Sequence, residues 1–287
     1  MRSEHVAQTY AQSMLGTCLT LTGRELRDAL RSRWFLLYTV AFAALGLGVS
    51  YASASTSGGG MSSFGRTSAG LINLVLLVVP LMALTAGANT IASDRERGML
   101  PYLLAQAVTR AEVLIGKYVG LALALLASIS LGFGVVAGVL AWQGATTDPT
   151  GLILLAALSV ALALGMLSLG LLLSSFARRT SVATGAAIFV WLAMVFVSDL
   201  GLMAGAMTFK LSIEQLFGLS LANPLQVFKM WSLQSVDASL DVLGPAGLYA
   251  QEEFGRSLHL IFGASLSAWV LLPLAAAAIV FRRRSAV

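Results

Sequence analysis

Side chains capable of chemistry are sparse in this sequence and scattered. Gly116-Lys117 is the one phosphate-like signal, but a P-loop needs a Gly five residues before that Gly and a Ser or Thr after the Lys. Those positions hold Ala111 and Tyr118, so ATP binding by that motif is not expected. No H-E-x-x-H, G-x-S-x-G or Cys/His cluster occurs, which removes the usual signatures of membrane proteases and hydrolases. The single cysteine, Cys18, excludes an internal disulfide and a Cys-rich metal site. His5 and His259 stand alone. Met194, Met203, Met207 and Met230 carry thioethers of the kind that suit Cu(I), yet methionines in apolar helices more commonly fill gaps in packing. No catalytic constellation emerges, and no cofactor or metal is expected on this chain.

What remains is one concentration of charge, an island over residues 93–117 (SDRERGMLPYLLAQAVTRAEVLIGK) between two long apolar runs. Asp94, Arg95, Glu96 and Arg97 end the first run, and Gly98 follows. Residues 99–106 form a short amphipathic piece with Pro101 in a first helical turn, where its missing N–H costs little. Leu100, Leu103 and Leu104 are spaced to present one apolar edge. Thr109-Arg110-Ala111-Glu112 reads as a capping box that opens the next helix. A short helix along the membrane face, held between two spans, is the expectation.

The elements that must hold this island follow from composition. The chain of 287 residues is 57% hydrophobic and 11% charged, with mean hydropathy +0.85, far below the ~25% charge of soluble domains. The expected fold is an all-α integral membrane protein with six transmembrane helices. Residues 1–33 form an N-terminal interfacial arm, in which Thr22-Gly23-Arg24-Glu25 is a second possible capping box and Leu19, Leu26 and Leu30 line one side. Nothing in it looks like a cleavable signal peptide. Residues 34–287 form the membrane domain, with spans expected near 34–49, 69–91, 113–142, 152–176, 182–207 and 258–281. Residues 51–65, rich in Ser and Gly, are expected as a loop. Asp199 lies about 27 Å along the fifth span, close to an interface rather than at the midplane. Residues 208–256 form the one long polar-mixed segment.

Fourteen Lys and Arg residues fall in the arm, the island, the turn after span four and the C-terminus; four fall on the other side. That asymmetry places both termini and the island in the cytoplasm and 208–256 outside. The net charge of +5 therefore serves topology, and no nucleic-acid partner is implied.

The island resembles the signature of ABC-2-type permeases, the membrane subunits of ABC transporters. Their E-x-G-T-L segment, L-L-x-x-P-V-S-R segment and G-K-x-x-G are matched by Glu96-Arg97-Gly98-Met99-Leu100, by residues 103–110 (LLAQAVTR) and by Gly116-Lys117-Tyr118-Val119-Gly120. Met99 stands where Thr is usual and Ala107 where Pro is usual; order and spacing hold. The resemblance implies a homodimer in the bacterial inner membrane with separate ATPase subunits that bind the ATP and Mg. It also implies that segment 93–112 is a coupling helix. Leu100, Leu103 and Leu104 would insert into an ATPase groove, Arg95, Glu96, Arg97 and Arg110 would make rim pairs that fix register, and Asp94, Gly98, Thr109 and Glu112 would complete the coupling segment.

A narrower likeness is to the permeases that serve nitrous oxide reductase maturation. It rests on residues 24–34 (RELRDALRSRW), Asp199-Leu200, Leu221-Ala222-Asn223-Pro224 and the ending at 271–284. It implies a periplasmic accessory partner for a copper enzyme, docked on 208–256, with Asn223, Pro224, Phe228 and Trp231 as docking residues. An exporter of a lipid, glycan or drug is the alternative within the class. An ATP-independent carrier or channel would instead show charged or broken-helix sites at the midplane.

Overall fold

The computed structural model describes residues 16, 19–56, 61–100, 102, 109–142, 149–197, 212–235 and 253–283, and all regular structure among them is helical. The principal helices are α1 (residues 19–31), α2 (Arg33–Thr56), α3 (Met61–Glu96), α4 (Arg110–Trp142), α5 (Pro149–Phe176), α6 (Thr180–Phe196), α7 (Ile213–Leu221), α8 (Pro224–Ser235) and α9 (Leu258–Arg283). Among the described residues five helices are long and apolar enough to cross a membrane: α2, α3, α4, α5 and α9. Helix α6 is equally apolar but its described part has 17 residues.

The centre is the pair α3 and α5. Gly87 and Gly170 face each other there: a Cβ on Gly170 would stand 2.5 Å from the Leu84 carbonyl oxygen, and one on Gly87 would stand 2.7 Å from that of Leu167. Only glycine permits that approach, and Ala83, Leu84 and Ala88 are fully enclosed around it. Ser174 of α5 is fully buried and accepts from the N–H groups of Ile91 and Ala92 at 3.0 and 2.9 Å, pinning α3 near its island end. Around this pair, α9 lies along α5, α6 along α3, and α2 against α4 and α3. Helix α8 packs against α5, α9 and α3. The outward faces of α2 and α6 keep Leu36, Leu37, Val40, Phe189 and Leu192 exposed, as helices facing lipid do.

Several expectations need correction. The Ser/Gly stretch 51–65 is largely helical, since α2 continues to Thr56 and α3 begins at Met61. Extending an existing helix adds a hydrogen bond for each residue fixed, so polar composition alone does not stop it. Asp94, Arg95 and Glu96 likewise prolong α3 instead of breaking it. The stop is Gly98, at φ +68°, whose N–H donates to the Arg95 carbonyl. In the arm, Thr22 does not cap a helix, because α1 is already helical at residue 19. Its hydroxyl donates to the Gly116 carbonyl of α4 at 3.4 Å instead. Leu103 and Leu104, most of the expected coupling helix, and Asp199, Met203 and Met207 lie outside the described residues.

Candidate functional site

The island is bracketed by two helix ends, and polar contacts fix each. At the entry to α4 the capping box is complete: Glu112 Oε2 accepts from the Thr109 N–H at 2.6 Å, and Thr109 Oγ1 accepts from the Glu112 N–H at 3.3 Å. The reciprocal pair satisfies two donors that a helix start leaves orphaned. Glu112 is buried, so α4 starts from a protected cap. Arg110, beside it, reaches across to the end of α9. Its Nη1 donates to the Phe281 carbonyl at 2.8 Å, and its guanidinium lies 5.9 Å from the Phe281 ring centre. A cation at the C-terminal carbonyls of a helix is stabilised by the helix dipole.

At the exit of α3 the neighbouring residues grip α5 and α6. Arg95 Nη1 donates to the Ala177 carbonyl at 2.5 Å. Glu96 Oε2 accepts from the Thr180 N–H at 2.9 Å. Arg179 occupies the cap position of α6 without a side-chain cap hydrogen bond, so Glu96 supplies from another helix the carboxylate that a helix start favours. One turn further along, Thr184 Oγ1 donates to Asn89 Oδ1 at 2.5 Å and ties α6 to α3 again.

The third hold is ionic. Lys117 of α4 has a side chain only 4% exposed, and its Nζ pairs with Glu25 of α1 and, at 2.7 Å, with Asp94 of α3. An ammonium in an apolar helix is costly unless paired, and here two carboxylates from separate elements meet it. Gly120 lets α1 lie directly on α4, since a Cβ there would stand 2.6 Å from Glu25 Cβ. Lys117 is therefore a structural clamp. The G-K-x-x-G segment seats the arm, whereas a Cβ on Gly134 or Gly138 would meet no described residue within 4 Å.

Of the residues expected to act here, Asp94, Arg95, Glu96, Arg97, Gly98, Thr109, Arg110 and Glu112 converge on this end of the bundle. Leu100 is a correction: it is fully buried with Ile91, Leu114, Leu171 and Phe281 in the chain's own core, and is not free to enter another protein. Glu25 and Lys117 were missed as partners. The available signal was Lys117 itself, a charge inside an apolar run with an obligatory counter-ion.

A cleft of about 930 Å3 opens beside the clamp, between α1 and α2 on one side and α6 on the other. Thr85, Asn89 and Ser93, four apart on α3, contribute polar groups to its lining, with Met82, Tyr38 and Ile188 among the apolar walls and Arg24, Asp28 and Arg97 as charges. The lining is thus mixed, with apolar walls and polar and charged groups together.

At the other end of the bundle, of the four expected docking residues Asn223, Pro224 and Phe228 are buried and Trp231 is half-buried. Asn223 Oδ1 accepts from the Leu225 N–H at 3.0 Å, starting α8 with Pro224 as its first residue, and Nδ2 donates to the Met194 carbonyl of α6 at 2.9 Å. Phe228 is fully buried, and Trp231 packs 6.2 Å from Phe262. These contacts hold α8 in the bundle. Met230 is buried as well, and among the described residues no His, Cys, Asp and Glu group could hold a metal ion.

A family profile described as "ABC-2 family transporter protein" matches residues 19–286. The chain belongs to the ABC-2 family. It is 31% identical over 276 residues to the "Probable ABC transporter permease protein NosY" of Stutzerimonas stutzeri, covering 91% of this chain and 96% of that protein. It is 33% identical over 229 residues to the protein of the same description from Pseudomonas aeruginosa, covering 77% of this chain and 82% of that one. This ABC-2 permease is thus a multi-pass membrane protein of a class that works with ATP-hydrolysing partner subunits.

Proposed function

We propose that this permease is the membrane half of an ATP-driven machine and works as a homodimer, with separate ATPase subunits docked on the 93–112 segment. Six spans complete the bundle, α6 being the described part of the fifth. Both termini lie in the cytoplasm of a bacterium's inner membrane. The chain itself contributes no ATP site or catalytic group. The observation that carries this reading is the island's wiring. A segment between two spans is tied by Lys117, Arg95, Glu96 and Arg110 to α1, the α5–α6 turn, α6 and α9. A push on the island is delivered to most of the bundle at once, which is what coupling to an external ATPase requires.

For the system served, the likeness to NosY proteins along most of the chain supports maturation of nitrous oxide reductase, a copper enzyme, with an accessory protein outside the membrane. The 930 Å3 cleft favours a second reading, export of a small amphipathic molecule. Purification from native membranes in mild detergent, with identification of every co-purifying chain, separates them. An ATPase plus a soluble periplasmic protein supports the maturation machine. An ATPase alone supports the exporter, and recovery without any ATPase overturns both.

A further inference from the structure

The holds at the island have counterparts at the far end of the same two helices. Helix α6 is gripped at its start by Glu96, and near the end of its described part the Met194 carbonyl accepts from Asn223. Helix α9 is gripped at its end by Arg110 through the Phe281 carbonyl, and near its start Ser265 Oγ donates to the Leu221 carbonyl at 2.9 Å. Leu221 and Asn223 belong to one tight turn between α7 and α8. Two helices therefore leave opposite flanks of the island and converge on a single turn at the opposite end of the bundle.

The two differ in stiffness. Described α6 contains no proline, its buried side chains are Ala183 and Ala187, and Thr184 ties it to Asn89 of α3, so it moves as one rigid rod with that part of α3. Helix α9 contains Pro273 near its middle, where the lost backbone hydrogen bond gives a compliant point. We infer that α6 is a stiff strut and α9 a flexible stay, and that together they convert displacement of the island into rocking of the α7–α8 pair through Asn223 and Ser265. The inference rests on the proposed coupling role of the island and assigns Asn223 as a positioning residue for the outer segment.

The test uses the complete complex with its ATPase, with nucleotide trapped or absent. Cys18→Ser provides the background, and paired spin labels report distances by electron–electron double resonance. Tyr102→Cys with Ile153→Cys reads the island, and Gly218→Cys with Ile153→Cys reads α7; all three positions are exposed. Asn223→Asp is the informative variant, because it keeps the acceptor that starts α8 and removes the donor to Met194. Ser265→Ala removes the second hold without touching that cap. Trapping is expected to shift both distances in the parent. Each variant should keep the island shift and reduce the α7 shift at least twofold. A full α7 shift in both variants overturns the strut. An island shift with a static α7 in the parent overturns it too, but leaves the coupling role standing. A static island in the parent overturns the coupling role, and the strut with it.

Discussion

Lys117 shows what one residue contributes. Its ammonium is buried, while Glu25 and Asp94 stay 18% and 20% exposed. Breaking a fully buried pair costs about 3–5 kcal/mol by stranding the remaining charge. Water still reaches these two carboxylates, so Lys117→Met is expected to cost about 2–3 kcal/mol, seen as a lowered unfolding temperature in detergent. An unchanged temperature would show that the clamp contributes nothing. At Thr109 the expectation is smaller: Thr109→Ala should cost about 0.5–2 kcal/mol and Thr109→Ser almost nothing. Equal effects of the two would remove the capping box from the explanation. The two sites also differ in legibility. The box was readable because Thr109 and Glu112 lie within one turn of each other. The partners of Lys117 lie far off in the chain, and no local pattern names them.

At the scale of elements, the α3–α5 crossing sets what can change. Gly170→Val would drive a side chain into the backbone at Leu84, Gly87 and Ala88. Backbone cannot yield as a flexible side chain does, so the cost should reach or exceed the ~1–3 kcal/mol of ordinary overpacking. Membrane-inserted, monodisperse protein should largely vanish. A Cβ on Gly134 would meet no described residue within 4 Å, so Gly134→Val should be recovered at parental yield; equal losses in both would point to glycine's backbone freedom instead of contact. The long apolar helices were legible because composition decides them. Leu100 was misread for a reason of context. Its spacing marks an apolar edge, but spacing does not say whether that edge meets a partner or the chain's own core. Asn223 was noticed, yet its reach to Met194 depends on the return of α8 into the bundle, which no local signal shows.

At the scale of the whole molecule, the proposed coupling gives two expectations. Leu103→Asp or Leu104→Asp should release the ATPase subunits while leaving membrane insertion unchanged, measured by co-purification against membrane yield. Undiminished ATPase recovery would detach these leucines from the interface. A reporter joined after Val287 should be active only in the cytoplasm, and periplasmic activity would overturn the six-span count. The clamp on Lys117 also bears on how the chain is made. Both of its carboxylates, Glu25 and Asp94, precede the lysine in the chain, so both have left the ribosome before α4 enters the membrane. That order makes both counter-ions available to the one ammonium buried in that helix when it arrives.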